Sequence, residues 1–284
     1  MQNIKITILQ SNLYWENINK NLELFSQKIS LIKEKTDLIV LPEMFNTGFT
    51  MNNKTVAERM GGKTFEWMKK IAKEKNCVVT GSIIIEDSLS DKKSNGVVYF
   101  NRLIWMRQDG SFEIYDKRHL FRYANEQNFY TAGNKKLIVE LNGWKICPMI
   151  CYDLRFPVWI RNRFSLPSFA SRGIIGCEEY DVLIFVANWP ERRNYHWKTL
   201  LLVRAIENQC YIVGVNRIGN DGNNVYYSGD SAVINPKGEI ISKTEPHQES
   251  VESIFLSRKE LDEWRKTFPA WMDADQFTLS NSQQ

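Results

Sequence analysis

Three segments set a reactive or ionisable side chain directly behind an apolar run. In KICPMICYDLRFPVW, Lys145 to Trp159, the apolar residues lead to Cys151, and the chain then turns polar at Tyr152-Asp153. LIVLPEMFNTGF carries Glu43 after a short apolar run and a proline, and EIYDKRHLF carries Lys117 just past another apolar stretch. A thiol, a carboxylate and an ammonium are the groups needed for nucleophilic attack on an acyl centre. The sulfur attacks, the carboxylate moves the proton, and the ammonium meets the charge that develops on oxygen.

Each residue also has a plain reading. Cysteine is among the most buried residue types, so Cys151 fits the end of a core strand as well as a displayed nucleophile. Glu43 and Lys117 read equally as surface loop residues. Cys77, Cys147 and Cys210 lie in or beside apolar runs and read as core. A free thiol has a pKa of about 8.5 and needs help to react at neutral pH. Histidine is the usual helper, but the chain has three, His119, His196 and His247, none at metal-ligand spacing. That scarcity directs attention to carboxylates and lysines at strand ends, where an ammonium such as that of Lys117 would also lower the thiol's pKa. G-x-S-x-G, a strand-linked GxGxxG, a P-loop and H-E-x-x-H are all missing. No metal and no cofactor is expected.

The elements that would hold these residues alternate in type. Ile4 to Leu9 reads as a strand, and Ile18, Leu22, Phe25, Ile29 and Ile32 form one helical stripe. DLIVLPE and CVVTGSIII read as buried strands, with a helix between them over Thr64 to Lys75. GVVYFNRLIWMRQDGSFEIYDK and KLIVELNGWKICPMIC read as strand pairs turning at Asp109-Gly110 and Asn142-Gly143. YDVLIFVANW, HWKTLLLVRAIENQ and CYIVGVNRIG resume strand, helix and strand. A hairpin at Asn235 to Gly238 and a late helix in KELDEWRKTFPAWMD follow. This is the pattern of an α/β protein with mixed sheets and helices on their outer faces. With no linker and no internal repeat, residues 1–279 read as a single domain and 280–284 as a loose polar tail.

Composition excludes several classes. The net charge of +4 is mild and its basic residues are scattered, so no nucleic-acid partner is expected. No run approaches the ~18 apolar residues of a membrane span. Five cysteines, an odd number without a CxxC pair, suit reduced thiols and a cytoplasmic location.

Taken together and in order, the three segments resemble the nitrilase superfamily of carbon–nitrogen hydrolases. LPEMFNTGF is similar to its glutamate motif, YDKRHLF to its lysine motif and ICYDLRFPVWIRN to its cysteine motif, and the likeness runs from Ile4 to about Asp273. It implies a four-layer α-β-β-α sandwich of two mixed sheets with helices on the outer faces, commonly paired as a homodimer. By this resemblance Glu43 is the general base, Lys117 the oxyanion lysine and Cys151 the nucleophile. Glu126, in NEQNFYTAG, matches a second glutamate that holds Lys117; its rival reading is a surface residue at a helix end. The backbone N–H of Tyr152 would share the oxyanion.

RFPVW and VANWPERR look most like the omega-amidases, which cleave the terminal amide of short keto acids such as 2-oxoglutaramate. The expected partner is therefore a small-molecule amide with a distal carboxylate, for which Arg155, Arg192 and Arg193 are candidate ligands and Phe49 and Trp189 candidate walls. Other activities of the superfamily on nitriles or carbamoyl amides, acyl transfer, or a non-catalytic relative are the alternatives. A cysteine–histidine hydrolase would need His119 or His196 beside Cys151. One segment departs from the pattern: FSLPSFASRGIIGCEE, Phe164 to Glu179, stands where a near-direct run into YDVLIF is expected. Its breaks read as a loop that lids the pocket, alters a dimer contact or disorders it.

Overall fold

The structure is a computed structural model that describes residues 2–88, 96–165 and 177–279. Its elements, in chain order, are β1 (Ile4–Gln10), α1 (Ile18–Ser30), β2 (Leu38–Val40), α2 (Asn53–Val56), α3 (Lys63–Lys75), β3 (Val78–Ser88), β4 (Val97–Met106), β5 (Phe112–Asp116), β6 (Val139–Leu141) and β7 (Trp144–Ile150). Then come α4 (Pro157–Ile160), β8 (Phe164–Ser165), β9 (Cys177–Glu178), β10 (Val182–Ala187), α5 (Asn194–Asn208), β11 (Tyr211–Asn216), β12 (Ile218–Asn220), β13 (Tyr226–Ser228), β14 (Ala232–Ile234), β15 (Ser250–Leu256) and α6 (Arg258–Thr267).

Two mixed sheets carry the core. The first has the order β15-β1-β2-β3-β4-β5 and the second β14-β11-β10-β7-β6. Pairing is parallel where a helix crosses over, as in β1·β2, β2·β3 and β10·β11, and antiparallel at the hairpins β4·β5 and β6·β7.

Side-chain alternation explains the layering. Ile4, Ile6 and Ile8 of β1 and Leu38 and Val40 of β2 join the cluster shared with the second sheet. Ile39, one step out of phase, joins Phe25 and Ile29 of α1 and Met68 and Ile71 of α3 instead. A period of two thus splits one strand between two cores. In the second sheet β10 and β11 are buried along their whole length, because α5 covers the outer face with Trp197, Leu201 and Ala205. The result is the four-layer α-β-β-α sandwich.

The late helix is shorter than its sequence suggested. It stops at Thr267 ahead of Pro269, and a separate 3₁₀ turn follows over Ala270–Asp273. A residue before proline is pushed out of the helical region, which accounts for the break at Phe268. The ends of the Phe164–Glu179 segment pair as β8 and β9, while 166–176 lie outside the described residues, as does the tail 280–284.

Gly214 of β11 is where α5 approaches its sheet. A Cβ there would stand 2.6 Å from Leu201 Cδ1 and 3.0 Å from the Trp197 ring. In Gly214→Ala the Leu201 side chain or the helix itself must shift, and we expect this to cost about 1–3 kcal/mol. An unchanged denaturation midpoint for this variant would show that the layer is looser than its geometry.

Candidate active site

Four of the chemistry-bearing residues lie just past the carboxyl ends of strands. Glu43 follows β2, Lys117 follows β5, Cys151 follows β7 and Asn188 follows β10. The first two belong to one sheet and the last two to the other, so the site is assembled only where the sheets face each other.

Glu43, Lys117 and Glu126 form a buried ion triad. Lys117 Nζ donates to Glu43 Oε1 at 2.8 Å and to both oxygens of Glu126 at 3.0 Å. The glutamate side chains are fully buried and the lysine is 1% exposed. Burial alone would lower the Lys117 pKa, but the charges of Glu126 and Glu43 outweigh it and hold the ammonium above its usual range. Glu126 is pushed up, chiefly by burial, although Lys117 pulls it back. It also accepts the Phe121 backbone N–H at 2.5 Å, so its surface reading is excluded.

The donors around Glu43 can be counted. Oε1 accepts from Lys117 Nζ and from Asn101 Nδ2, both at 2.8 Å. Oε2 accepts from the Asn188 backbone N–H at 2.8 Å. A carboxylate offers about four lone-pair sites, so about one is left, and the Cys151 thiol interacts with this carboxyl. The Asn188 side chain also donates to the Glu43 carbonyl at 2.5 Å, and the Asn188 carbonyl lies 3.9 Å from the sulfur as its acceptor. Asn188 thus ties the glutamate loop to the cysteine.

Cys151 stands on a sharp turn with φ +44°, a left-handed backbone rare for residues other than glycine. Asp153 holds that turn. Its carboxylate is fully buried and accepts from Ile150 N–H at 3.1 Å, Tyr115 Oη at 2.8 Å and His119 N–H at 3.0 Å, and contacts His119 Nδ1 at 2.8 Å. The lysine loop and the cysteine turn are therefore pinned to one another. Tyr152 is the second residue of a short 3₁₀ helix, Cys151–Arg155, where early N–H groups have no intrahelical acceptor.

One sequence expectation is corrected here. A nearby ammonium was expected to lower the pKa of the thiol. Lys117 does act in that direction, but burial, and then the charge of Glu43, raise Cys151 well above the usual thiol range. Such a shift favours a neutral thiol facing the Glu43 carboxylate over a preformed thiolate. The histidines do not supply an alternative partner. His119 is engaged with Asp153 and stacked on Phe156 at 3.8 Å, and His196 Nδ1 lies 3.0 Å from an Arg155 nitrogen.

A cavity of about 480 Å³ opens onto Cys151 and Lys117. Phe49, Tyr152 and Trp189 line it, and the Phe49 ring lies 5.1 Å from Lys117 Nζ. Arg155, Arg192 and Arg193 line it too. Arg155 lies over Trp189 at 4.8 Å, and Arg193 over Phe121 at 5.2 Å. Burial and the neighbouring charges of Arg192 and Arg155 pull Arg193 below its usual pKa, a mark of crowded positive charge. Among the described residues none of the three has an acidic partner.

Sequence reasoning missed Asn101, Asp153 and Asn188 as parts of this site. Asn101 had a signal, a lone amide inside the buried run YFNRLIW. Asn188 stood in the quoted VANWP, directly after a strand. Among the described residues no group of three or more His, Cys, Asp or Glu could hold a metal ion.

The buried thiols predict a pH dependence of stability. Burial raises Cys77 to about 12 and pushes Cys147, Cys151 and Cys210 up as well. In the unfolded chain thiols ionise near 8.5, so above that pH the folded state binds more protons and stability falls. We expect full stability below about pH 8.5 and a declining urea midpoint from there toward pH 11; a midpoint that holds steady over that window would contradict the burial of these groups.

The comparisons agree with this geometry. The family model described as carbon–nitrogen hydrolase matches residues 5–266. Omega-amidase YafV of Escherichia coli (strain K12) is 43% identical over 279 residues, covering 98% of this chain and 100% of that one. The 2-oxoglutaramate amidase of Bacillus subtilis (strain 168) is 33% identical over 260 residues, 91% of either chain. The crystal structure of XC1258 from Xanthomonas campestris, described as a CN-hydrolase superfamily protein with an arsenic adduct in the active site, superposes with a TM-score of 0.89 at 41% identity, covering 99% of this chain and 100% of that one.

Proposed function

The chain belongs to the carbon–nitrogen hydrolase family, and from that premise we propose that it is an omega-amidase, releasing ammonia from the terminal amide of short keto acids such as 2-oxoglutaramate. The observation that carries this reading is a single cavity lined both by Cys151 and Lys117 of the thiol–carboxylate–ammonium cluster and by three arginines. An omega-amido acid has an amide for the first and a carboxylate for the second, which a guanidinium recognises bidentately. The names of the E. coli and B. subtilis relatives support the same substrate class.

In the proposed reaction Glu43 takes the proton of the Cys151 thiol as sulfur attacks the amide carbon. Lys117 and the Tyr152 N–H meet the oxyanion. The tetrahedral species collapses with loss of its C–N bond, and protonated Glu43 gives its proton to the leaving nitrogen, which departs as ammonia. A thioester remains. Glu43 then removes a proton from water, hydroxide adds to the thioester, and the sulfur leaves to recover its proton. A raised thiol pKa suits this sequence, because the proton leaves the sulfur only as attack begins. Glu126 holds Lys117 and helps to hold the incoming groups. Phe49 and Trp189 form the walls, and Arg155, Arg192 and Arg193 receive the distal carboxylate.

We further propose one domain over residues 1–279 and a homodimer formed through the outer face of α5, where Tyr195, Val203 and Ile206 are exposed on one stripe. A cytoplasmic location is proposed from the free thiols Cys77, Cys147, Cys151 and Cys210.

Ammonia release across keto-acid amides, nitriles and ureido acids tests the reading. Omega-amides of keto dicarboxylic acids are expected to be the best substrates and Cys151→Ala to release none. Lys117→Ala is expected to lose at least ~10²–10³ in kcat and to be destabilised by about 3–5 kcal/mol, since two buried carboxylates lose their cation. Preference for nitriles or ureido acids, or near-normal turnover by Cys151→Ala, would sink the proposal. For the dimer, sedimentation of Ile206→Glu is expected to give a monomer where the parent protein gives a dimer; a parent protein that sediments as a monomer rejects it.

A further inference from the structure

We propose that Asn101 is a positioning residue for this chemistry, whose side-chain amide keeps Glu43 ionised and aimed at the sulfur as a neutral second partner beside Lys117. The inference rests on the amidase reading of the site.

Asn101 lies in β4 and is 1% exposed. Its Nδ2 donates to Glu43 Oε1 at 2.8 Å and reaches Glu126 Oε1 at 3.5 Å. Its carbonyl accepts the backbone N–H of Lys117 at 3.0 Å. One residue therefore contacts all three members of the ion triad. The amide can have only this orientation, since turning it over would press its oxygen against two carboxylate oxygens. In the orientation it has, Oδ1 is buried without a partner among the described residues. An apolar side chain would not leave that acceptor orphaned, so the amide is retained against a cost, and what it supplies in return is the N–H pair.

The charge count shows why a donor is needed. Lys117, Glu126 and the Cys151 thiol face Glu43 from β5, the loop after it and the cysteine turn, and the Asn188 N–H faces it from β10. The hydroxyls of Tyr130 and Tyr227 lie far enough off to feel its charge without bonding to it. Lys117 is the only cation in this set, and it is shared between two carboxylates. The ion group is one negative charge in excess inside a dry site, where each unpaired charge is costly. A neutral donor relieves Glu43 without adding a second cation that would hold its electron pair back from the proton.

Removing a donor from an ionised carboxylate favours its protonation. A base must be unprotonated to act, so losing the Asn101 amide moves the acidic limb of the activity–pH profile upward. The experiment compares the parent enzyme with Asn101→Leu and Asn101→Ala, with thermal unfolding of each to confirm folding. Two profiles are recorded from pH 5 to 9: kcat/KM for ammonia release from 2-oxoglutaramate, and the rate of Cys151 alkylation by iodoacetamide, which needs the same proton transfer but no substrate. We expect the acidic limb to move up by about 1–2 pH units in both profiles, the size of one hydrogen bond to a charged group. Acidic limbs that superimpose on the parent's in a folded variant overturn the proposal, whatever the change in melting temperature. If the parent enzyme releases no ammonia, the amidase reading fails, and the alkylation profile still decides the role of Asn101.

Discussion

Two carboxylates and one ammonium, removed from water together, are the constraint around which this site is arranged. None of them is tolerable alone at that depth; an isolated buried charge is strongly disfavoured and tends to neutralise itself. Lys117 balances Glu43 and Glu126, and backbone or amide donors from Phe121, Asn188 and Asn101 take up remaining lone pairs. The strands around them are fixed accordingly. β2 brings Glu43, β5 brings Lys117, and Asn101 in β4 joins the two, so this ionic group also fastens the edge of the first sheet.

The second sheet joins through two polar straps. Asn188 holds the glutamate loop by its side chain and its N–H while its carbonyl receives the thiol. Asp153 holds the lysine loop through Tyr115 and His119 while it closes the left-handed turn at Cys151. The strain of that turn is offset by four contacts to one carboxylate. Cys151 and Glu43 are thus positioned across the interface between the sheets, not within one of them.

Much of this was legible in the chain. The β-forming runs ITIL and VLIFVA correctly gave strands, both of them buried along their whole length, and the stripe of Leu22, Phe25 and Ile29 gave α1. Glu43, Lys117 and Cys151 were legible because each ends an apolar run, the local sign of a side chain presented at a sheet's edge. Their convergence was not, since Glu43 and Lys117 are 74 residues apart and only the sheet order brings them together. The supporting residues were hidden for a different reason. An asparagine or aspartate reads as turn chemistry in isolation, and only long-range contacts distinguish Asn188 or Asp153 from an ordinary loop residue. The sense of the Cys151 shift was misjudged because a sequence shows neighbouring charges but not the depth at which they act.

The neutral state of the Cys151 sulfur has a consequence beyond turnover. Peroxides and other oxidants attack thiolates far faster than thiols, and oxidation past the sulfenic stage is largely irreversible. A sulfur that keeps its proton until an acyl carbon arrives is a poor target for them. The same burial that raises the Cys151 thiol therefore leaves this sulfur a slower target for oxidants than one held in a standing thiolate–imidazolium pair.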